Sequence, residues 1–420
     1  QALLGRSASG AARMESRSAA CGDSKRLRVD PEILDTACLG RPTLLEFEKP
    51  AVSSSDGGPF GSWSGLEQTA TVHDQVSDSL RSLHRIPGAL SAERVWDILT
   101  YVKGHVDYAL SAEVVDGSPA FEFYPFRDGV WLDDRFRGFL HDFVDALLLP
   151  HVRRRYSCST CALADVLVRR YLPGERRSIA NHFDSHAMIT AVMGLNSPCE
   201  YEGGLFVQPG PHASSRRFIH LEPGDLVVHS FDLQHGVSVY KGPRYSMVFW
   251  IKDSPTSVSE CTTPWYDDLA KAGDLDALYH LAQAYQSGIA GKPLDSAKAL
   301  DLYQRSAAAG HRFAQVAFSV LCLKLHKAGE LREVPDGAIE WLRDAAEMGF
   351  PLAQRTYAVA LANGDGVKPS SSESAVWMRR AAEQLDLDAA HRLGQFLLSG
   401  FGVAEDSAEA AKWFMVSATG

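Results

Sequence analysis

An α+β fold is predicted for this chain: a β-rich segment that fits a double-stranded β-helix, the jelly-roll architecture, followed by an all-α solenoid of helical hairpins. Three observations predict it. From Ala162 to Ile251, short runs rich in β-branched and aromatic residues alternate with Gly/Pro turns. After Asp253 the composition shifts to Ala and Leu, and an aromatic recurs at Trp265, Tyr303, Trp341, Trp377 and Trp413, at intervals of 38, 38, 36 and 36. A partner series, Ala277, Ala314, Ala353 and Ala389, recurs at 37, 39 and 36, as stacked hairpins with small residues at close helix approaches require.

With 420 residues the chain has room for about two to three domains and ample core. Hydrophobic residues make up 45% and charged residues 22%, the balance of a soluble globular protein. The net charge of -10 disfavours nucleic acid or an anionic membrane as a general partner; a local basic patch around Arg169, Arg170, Arg176 and Arg177 stays open. No apolar run reaches the length of a membrane span. The seven cysteines are odd in number and scattered, which leans towards a reducing compartment such as the cytoplasm without fixing one. The first residue is Gln, so a leader segment stays open; the chain ends soon after Trp413 without a polar capping helix, so more protein beyond it also stays open.

Taken in order, residues 1–70 form a low-complexity N-terminal region for which disorder is expected, with Ala51 to Ser64 a linker-like stretch. A globular segment, residues 71–253, follows. In it, Leu83 to Gly104 reads as a short strand and then a helix capped by Ser91, its apolar side carried by Val95, Trp96, Ile98 and Leu99. Leu132 to Arg155 is a second helical stretch, with Phe136, Phe139, Leu140, Phe143, Val144 and Leu147 at helical spacing. The helical segment covers residues 262–420.

Four residues concentrate the chemistry. His182 and Asp184 are two apart, so on a strand they share a face and offer an imidazole and a carboxylate to one point. His235 follows 51 residues later in a second β-rich run. Two histidines and one carboxylate suit an open-sided Fe(II). Arg244 starts the next strand with Ser246 on its face, and an arginine fork beside a hydroxyl is a receptor for a carboxylate. A metal site with a carboxylate clamp suggests a chelating keto acid.

At these residues the segment from Ile86 to Asp253 resembles the 2-oxoglutarate- and Fe(II)-dependent dioxygenases of the prolyl 4-hydroxylase-like branch. The words YLPG at Tyr171 to Gly174, YEGGLF at Tyr201 to Phe206 and LEPGDLVVH at Leu221 to His229 stand in the family's order. The resemblance implies a cupin-like jelly roll buttressed by the two helices. It implies Fe(II) held by His182, Asp184 and His235, and 2-oxoglutarate held by Arg244 with Ser246. Hydroxylation of a C–H bond, first of all in a peptidyl proline, and a use for ascorbate are implied with them. Tyr171 either shapes the keto-acid pocket or is a core aromatic. The family's tyrosine on the strand after H-x-D is not apparent, which leaves Ser246 and Thr190 as substitutes in the clamp.

The C-terminal wording resembles Sel-type repeats, relatives of the tetratricopeptide repeat. GDGV at Gly364 to Val367 and GFGV at Gly400 to Val403 match their turn, Gly288 to Lys292 is looser, and Lys327 to Val334 departs from it. Such a solenoid implies a protein partner.

Other readings remain. Zn(II) fits the same ligands, and His186, His220 and His229 compete for the ligand role. Cys158 and Cys161 form a C-x-x-C with no second pair to complete a zinc site, and read as a loop between helix and barrel. The repeat aromatics read as core. A non-catalytic repeat scaffold carrying a spent barrel is the alternative from another class, which intact ligands disfavour. Asp184 disfavours the halogenating relatives, which carry Ala or Gly there.

Overall fold

The computed structural model describes residues 83–104, 108–112, 119–208, 216–384 and 386–419. The expectations for residues 1–70 lie outside the described residues. The chain begins its described part with β1 (His84–Ile86), α1 (Ala92–Gly104), β2 (Ala109–Ala112), β3 (Pro119–Arg127), β4 (Val130–Trp131), α2 (Asp134–Phe143) and α3 (Leu149–Arg155). The strands β5 (Ala162–Tyr171), β6 (Ser178–His182), β7 (Ile189–Gly194), β8 (Glu202–Val207), β9 (Arg217–Ile219), β10 (Leu226–Ser230), β11 (His235–Lys241) and β12 (Arg244–Lys252) follow. They build two antiparallel sheets: one in the order β1-β10-β7-β12-β5-β3-β2 with β4 paired to β3, the other in the order β6-β11-β8-β9.

Alternation along the strands divides the core in two. Tyr245, Met247, Phe249 and Ile251 of β12 turn outward and pack with Phe136, Leu140, Phe143, Leu148 and Val152 of the helical layer. On the other face Tyr171, Val192, Val227 and Val248 meet Ile179, Leu205, Val207, Ile219, Val237 and Val239 of the smaller sheet. The two sheets thus share an apolar interior.

The two expected helices form, with adjustments. In α1 Val95, Ile98, Leu99 and Val102 are buried, and Ser91 Oγ accepts from Arg94 N at 3.3 Å. Trp96, expected on the apolar side, is 69% exposed, because it lies about 100° round the helix from Val95 and off the stripe that buries Val95, Ile98, Leu99 and Val102. The second helix starts late: Leu132 is exposed, and the Asp133 carboxylate caps Phe136 N at 2.8 Å. It is also interrupted by a π turn at Val144–Leu148 just before Pro150, whose missing N–H breaks the regular ladder there. Cys158 and Cys161, in the loop from α3 to β5, are joined as a disulfide, their Cα atoms 5.6 Å apart. The reading of all seven cysteines as a reduced, scattered set did not anticipate that bond, which a tight turn between neighbours makes geometrically available.

After β12 come α4 (Pro255–Ser259), α5 (Trp265–Lys271), α6 (Leu275–Ser287), α7 (Ser296–Ala308), α8 (Arg312–Lys327), α9 (Asp336–Glu347), α10 (Pro351–Asn363), α11 (Ser371–Glu383), α12 (Leu387–Ser399) and α13 (Ser407–Thr419). Ala277, Ala314, Ala353 and Ala389 are fully buried, as close helix packing needs. The helices α6, α10 and α12 end on Gly288, Gly364 and Gly400 in the left-handed region, whereas α8 runs 16 residues and ends on Ala328 in right-handed conformation. That explains why the Lys327 to Val334 turn departs from the other three in sequence. Trp265, Tyr303 and Trp413 are buried core residues, while Trp341 and Trp377 are half-buried against the same clusters.

The connection between the β-rich and helical parts is tied down. Ser254 and Ser257 cap α4 reciprocally, and Lys252 Nζ donates to Ser257 O at 3.2 Å and Thr262 O at 3.4 Å.

Candidate metal centre

His182 ends β6, Asp184 follows in the loop to β7, and His235 opens β11. The register pairs His235 with His182, so the ladder itself brings the two imidazoles side by side, 4.5 Å between ring centroids. One ligand atom from each of His182, Asp184 and His235 lies within 4.8 Å of the others, and this is the grouping of three among the described residues that could hold a metal ion.

Tautomers decide what these rings present. His182 Nδ1 lies 2.8 Å from Ala180 O and His235 Nδ1 lies 3.2 Å from Leu233 O. A carbonyl only accepts, so each Nδ1 carries a proton and each ring turns Nε2 towards Asp184. The distances are 3.5 Å from His182 Nε2 to Asp184 Oδ1 and 3.4 Å from His235 Nε2 to Oδ2. Burial drives His235 down to about 3 against the pull of Asp184, so its Nε2 holds a lone pair at neutral pH. Burial pushes Asp184 upward, but His235 and His182 outweigh it and hold the carboxyl well below the usual range. Lone pairs from imidazole and carboxylate therefore converge without a proton between His235 and Asp184, an arrangement that a cation relieves.

The surroundings sort the remaining histidines. His186 is exposed and lies edge-on to Trp250, 4.6 Å between centroids. His220 is half-buried on the segment after β9. Neither joins the cluster. His229 is buried with its ring centroid 4.6 Å from that of His235; its Nδ1 meets Ser230 O at 2.9 Å, and its Nε2 has no partner among the described residues. Thr190, expected as a substitute in the keto-acid clamp, donates its hydroxyl to Asp184 Oδ2 at 2.7 Å. The strand register accounts for this, since Thr190 lies between His229 and Trp250 on the inner face of the larger sheet.

Arg244 is 2% exposed and donates from Nη1 to Ser246 Oγ at 3.0 Å. It stands over the ring of Tyr171, at 5.3 Å, and within 6.0 Å of Tyr201. Among the described residues no carboxylate pairs with it. A buried guanidinium without an acidic partner is costly unless a ligand anion completes it. The sequence offers Tyr201 only as the first residue of YEGGLF; the local signal for its place beside Arg244 is a tyrosine two residues ahead of a Gly-Gly. Gly204, with φ at +120°, makes that packing possible, because a Cβ there would lie 3.0 Å from the Tyr201 ring and 3.7 Å from Arg244 Nε.

Residues 275–311, 321–350, 351–384 and 387–414 match the Sel1 repeat family. No curated protein matches the chain. Among solved structures, a protective antigen of uropathogenic Escherichia coli displaying an SLR fold is 33% identical over 40% of this chain and 34% of its own, with a TM-score of 0.35. The chain thus spans about a third of that protein's length. The non-heme alpha ketoglutarate dependent epimerase SnoN from nogalamycin biosynthesis is 16% identical over 45% of this chain and 83% of its own, with a TM-score of 0.34. A Pseudomonas putida prolyl-4-hydroxylase is 18% identical over 43% of this chain and 96% of its own, with a TM-score of 0.31. The C-terminal region of this chain carries Sel1 repeats, and its structural neighbours include an oxidoreductase of the 2OG-Fe(II) oxygenase family from Burkholderia pseudomallei, 16% identical over 41% of this chain and 85% of its own, with a TM-score of 0.33.

Proposed function

We propose that the β-rich part is a jelly-roll oxygenase that holds Fe(II) on His182, Asp184 and His235 and 2-oxoglutarate on Arg244, and hydroxylates a C–H bond of a protein or peptide. The observation that carries this reading is the buried Arg244, which pairs with no carboxylate among the described residues, taken with the convergent His–Asp–His set.

The residues divide the work. His182 and His235, locked by backbone carbonyls, present Nε2, and Asp184 is aimed by Thr190. Arg244 and Ser246 would take the distal carboxylate of the keto acid, with Tyr171 and Tyr201 walling the guanidinium from water. Fe(II) with 2-oxoglutarate and O2 supplies oxidative decarboxylation of the keto acid coupled to oxidation of a substrate C–H bond. His229 Nε2, without a partner among the described residues and beside His235, would hydrogen-bond a bound ligand. A peptidyl proline is the first substrate to test, with the Sel1 repeats recruiting the protein that bears it.

Anaerobic titration of metal-free protein with Fe(II) and then 2-oxoglutarate tests the reading, with His235→Ala and Arg244→Ala alongside. A weak visible charge-transfer band lost in His235→Ala, and needing far more keto acid in Arg244→Ala, is expected. A folded wild-type protein without a band refutes the oxygenase and leaves the repeat scaffold as the function. Turnover with and without ascorbate is measured in the same preparation.

A further inference from the structure

The loop that carries Asp184 and the loop that leads into His235 are both packed against the repeats. Tyr266 of α5, fully buried, donates its hydroxyl to Ser185 O at 2.9 Å, one residue beyond Asp184. Phe231, in the turn before His235, meets the Tyr266 ring edge-on at 5.0 Å. Phe183, between His182 and Asp184 in sequence, meets His280 of α6 at 5.1 Å and Phe313 of α8 at 5.2 Å. The two loops are also joined to each other, Phe231 N donating to Met188 O at 3.2 Å, and Ala187 N donates to Asp184 O at 3.0 Å. The strands hold His182 and His235, but Asp184 lies beyond the end of β6, where no ladder bond restrains it.

We infer that the hairpin α5–α6 is a positioning element of the metal centre: Tyr266 grips the Ser185 carbonyl and so sets the direction of Asp184, while Phe183 and Phe231 seat the two ligand loops on the repeats. The inference rests on the proposed metal site and assigns the repeats a second role besides recruitment. A protein bound to the repeats that shifted α5 or α6 would change metal affinity, and the metal would change affinity for that protein by the same factor.

The test uses the full chain and Mn(II), which accepts the same imidazole and carboxylate donors without oxygen chemistry. Binding is measured by calorimetry in wild type, His235→Ala, Tyr266→Phe and Tyr303→Phe, with amide hydrogen exchange at Ala187 and Met188. Tyr303 is the matched control, a buried tyrosine whose hydroxyl donates to Gln286 Oε1 at 2.7 Å inside the repeats. Tyr266→Phe is expected to weaken Mn(II) binding by about three- to tenfold and to speed exchange at Ala187, as loss of one buried hydrogen bond predicts. Tyr303→Phe is expected to change neither. Phe231→Leu, which keeps the apolar bulk but loses the ring contact, is expected to repeat the affinity loss. Wild-type binding that depends on His235, with Tyr266→Phe equal to wild type or Tyr303→Phe equally impaired, overturns this inference alone. A wild type that binds no Mn(II) overturns the metal site and this inference with it.

Discussion

The guanidinium of Arg244 lies 5.3 Å from the ring centroid of Tyr171, its register partner across β12 and β5. The pairing explains how a buried cation is kept in place before any anion arrives: an aromatic face on one side, Ser246 Oγ along the strand, and the Tyr201 ring at 6.0 Å. The first prediction follows from its lack of a carboxylate partner among the described residues. Arg244→Ala should weaken 2-oxoglutarate binding by roughly ten- to a hundredfold, and Arg244→Lys should recover only part, because an ammonium cannot reproduce a bidentate fork. Titration of metal-loaded protein with the keto acid measures both.

Thr190 aims one oxygen of Asp184 and contributes no metal ligand in this reading. Thr190→Val keeps the shape and removes the hydroxyl, so metal affinity should fall by about ten- to a hundredfold, the usual effect of losing an outer partner of a ligand. Retained affinity in Thr190→Val would show that Asp184 is held by other means.

Gly204→Ala tests the packing behind Arg244. At φ +120° an L side chain is strained, and its Cβ would lie 3.0 Å from Tyr201. The variant should lose roughly 1 to 3 kcal/mol of stability, and its keto-acid affinity should fall while metal affinity holds. Equilibrium denaturation and the two titrations separate these effects.

Acid should loosen the contact between the repeats and the ligand loops. His280 is buried among Phe183, Phe231, Tyr266 and Tyr279, its Nδ1 bound to Gln283 Oε1 and its Nε2 without a partner among the described residues. Burial lowers it to about 4, against the pull of Asp276 and the Gln283 hydrogen bond and with a push from His311. The unfolded chain takes up this proton near the ordinary value of 6.5 and the folded protein only near 4, so the folded state binds fewer protons in between. Stability from this group is therefore full above pH 6.5 and is lost as pH falls towards 4, by roughly 3 kcal/mol in all. Urea midpoints of metal-free wild type and His280→Phe, measured between pH 4.5 and 7, should converge at the acid end; parallel curves would contradict this.

Sequence alone determined what repeats locally. The alternation that puts Arg244 and Ser246 on one face and the aromatic and alanine series of the repeats are properties of strand and helix geometry, each visible within a few turns of chain; the H-x-D word marked the ligands, but Asp184 lies past the end of β6 and not on a strand face shared with His182. Tertiary structure decided the rest. Thr190 reaches Asp184 because β7 runs beside β12 and β10; Tyr201 reaches Arg244 because Gly204 leaves room between them; and Trp96 faces solvent because α1 packs through the single stripe of Val95, Ile98, Leu99 and Val102. The hold of Tyr266 on Ser185 spans 81 residues and follows no period, so no pattern in the chain could announce it. It exists only because α5, ahead of the first Sel1 repeat, packs on the loop that carries Asp184 beyond the end of β6.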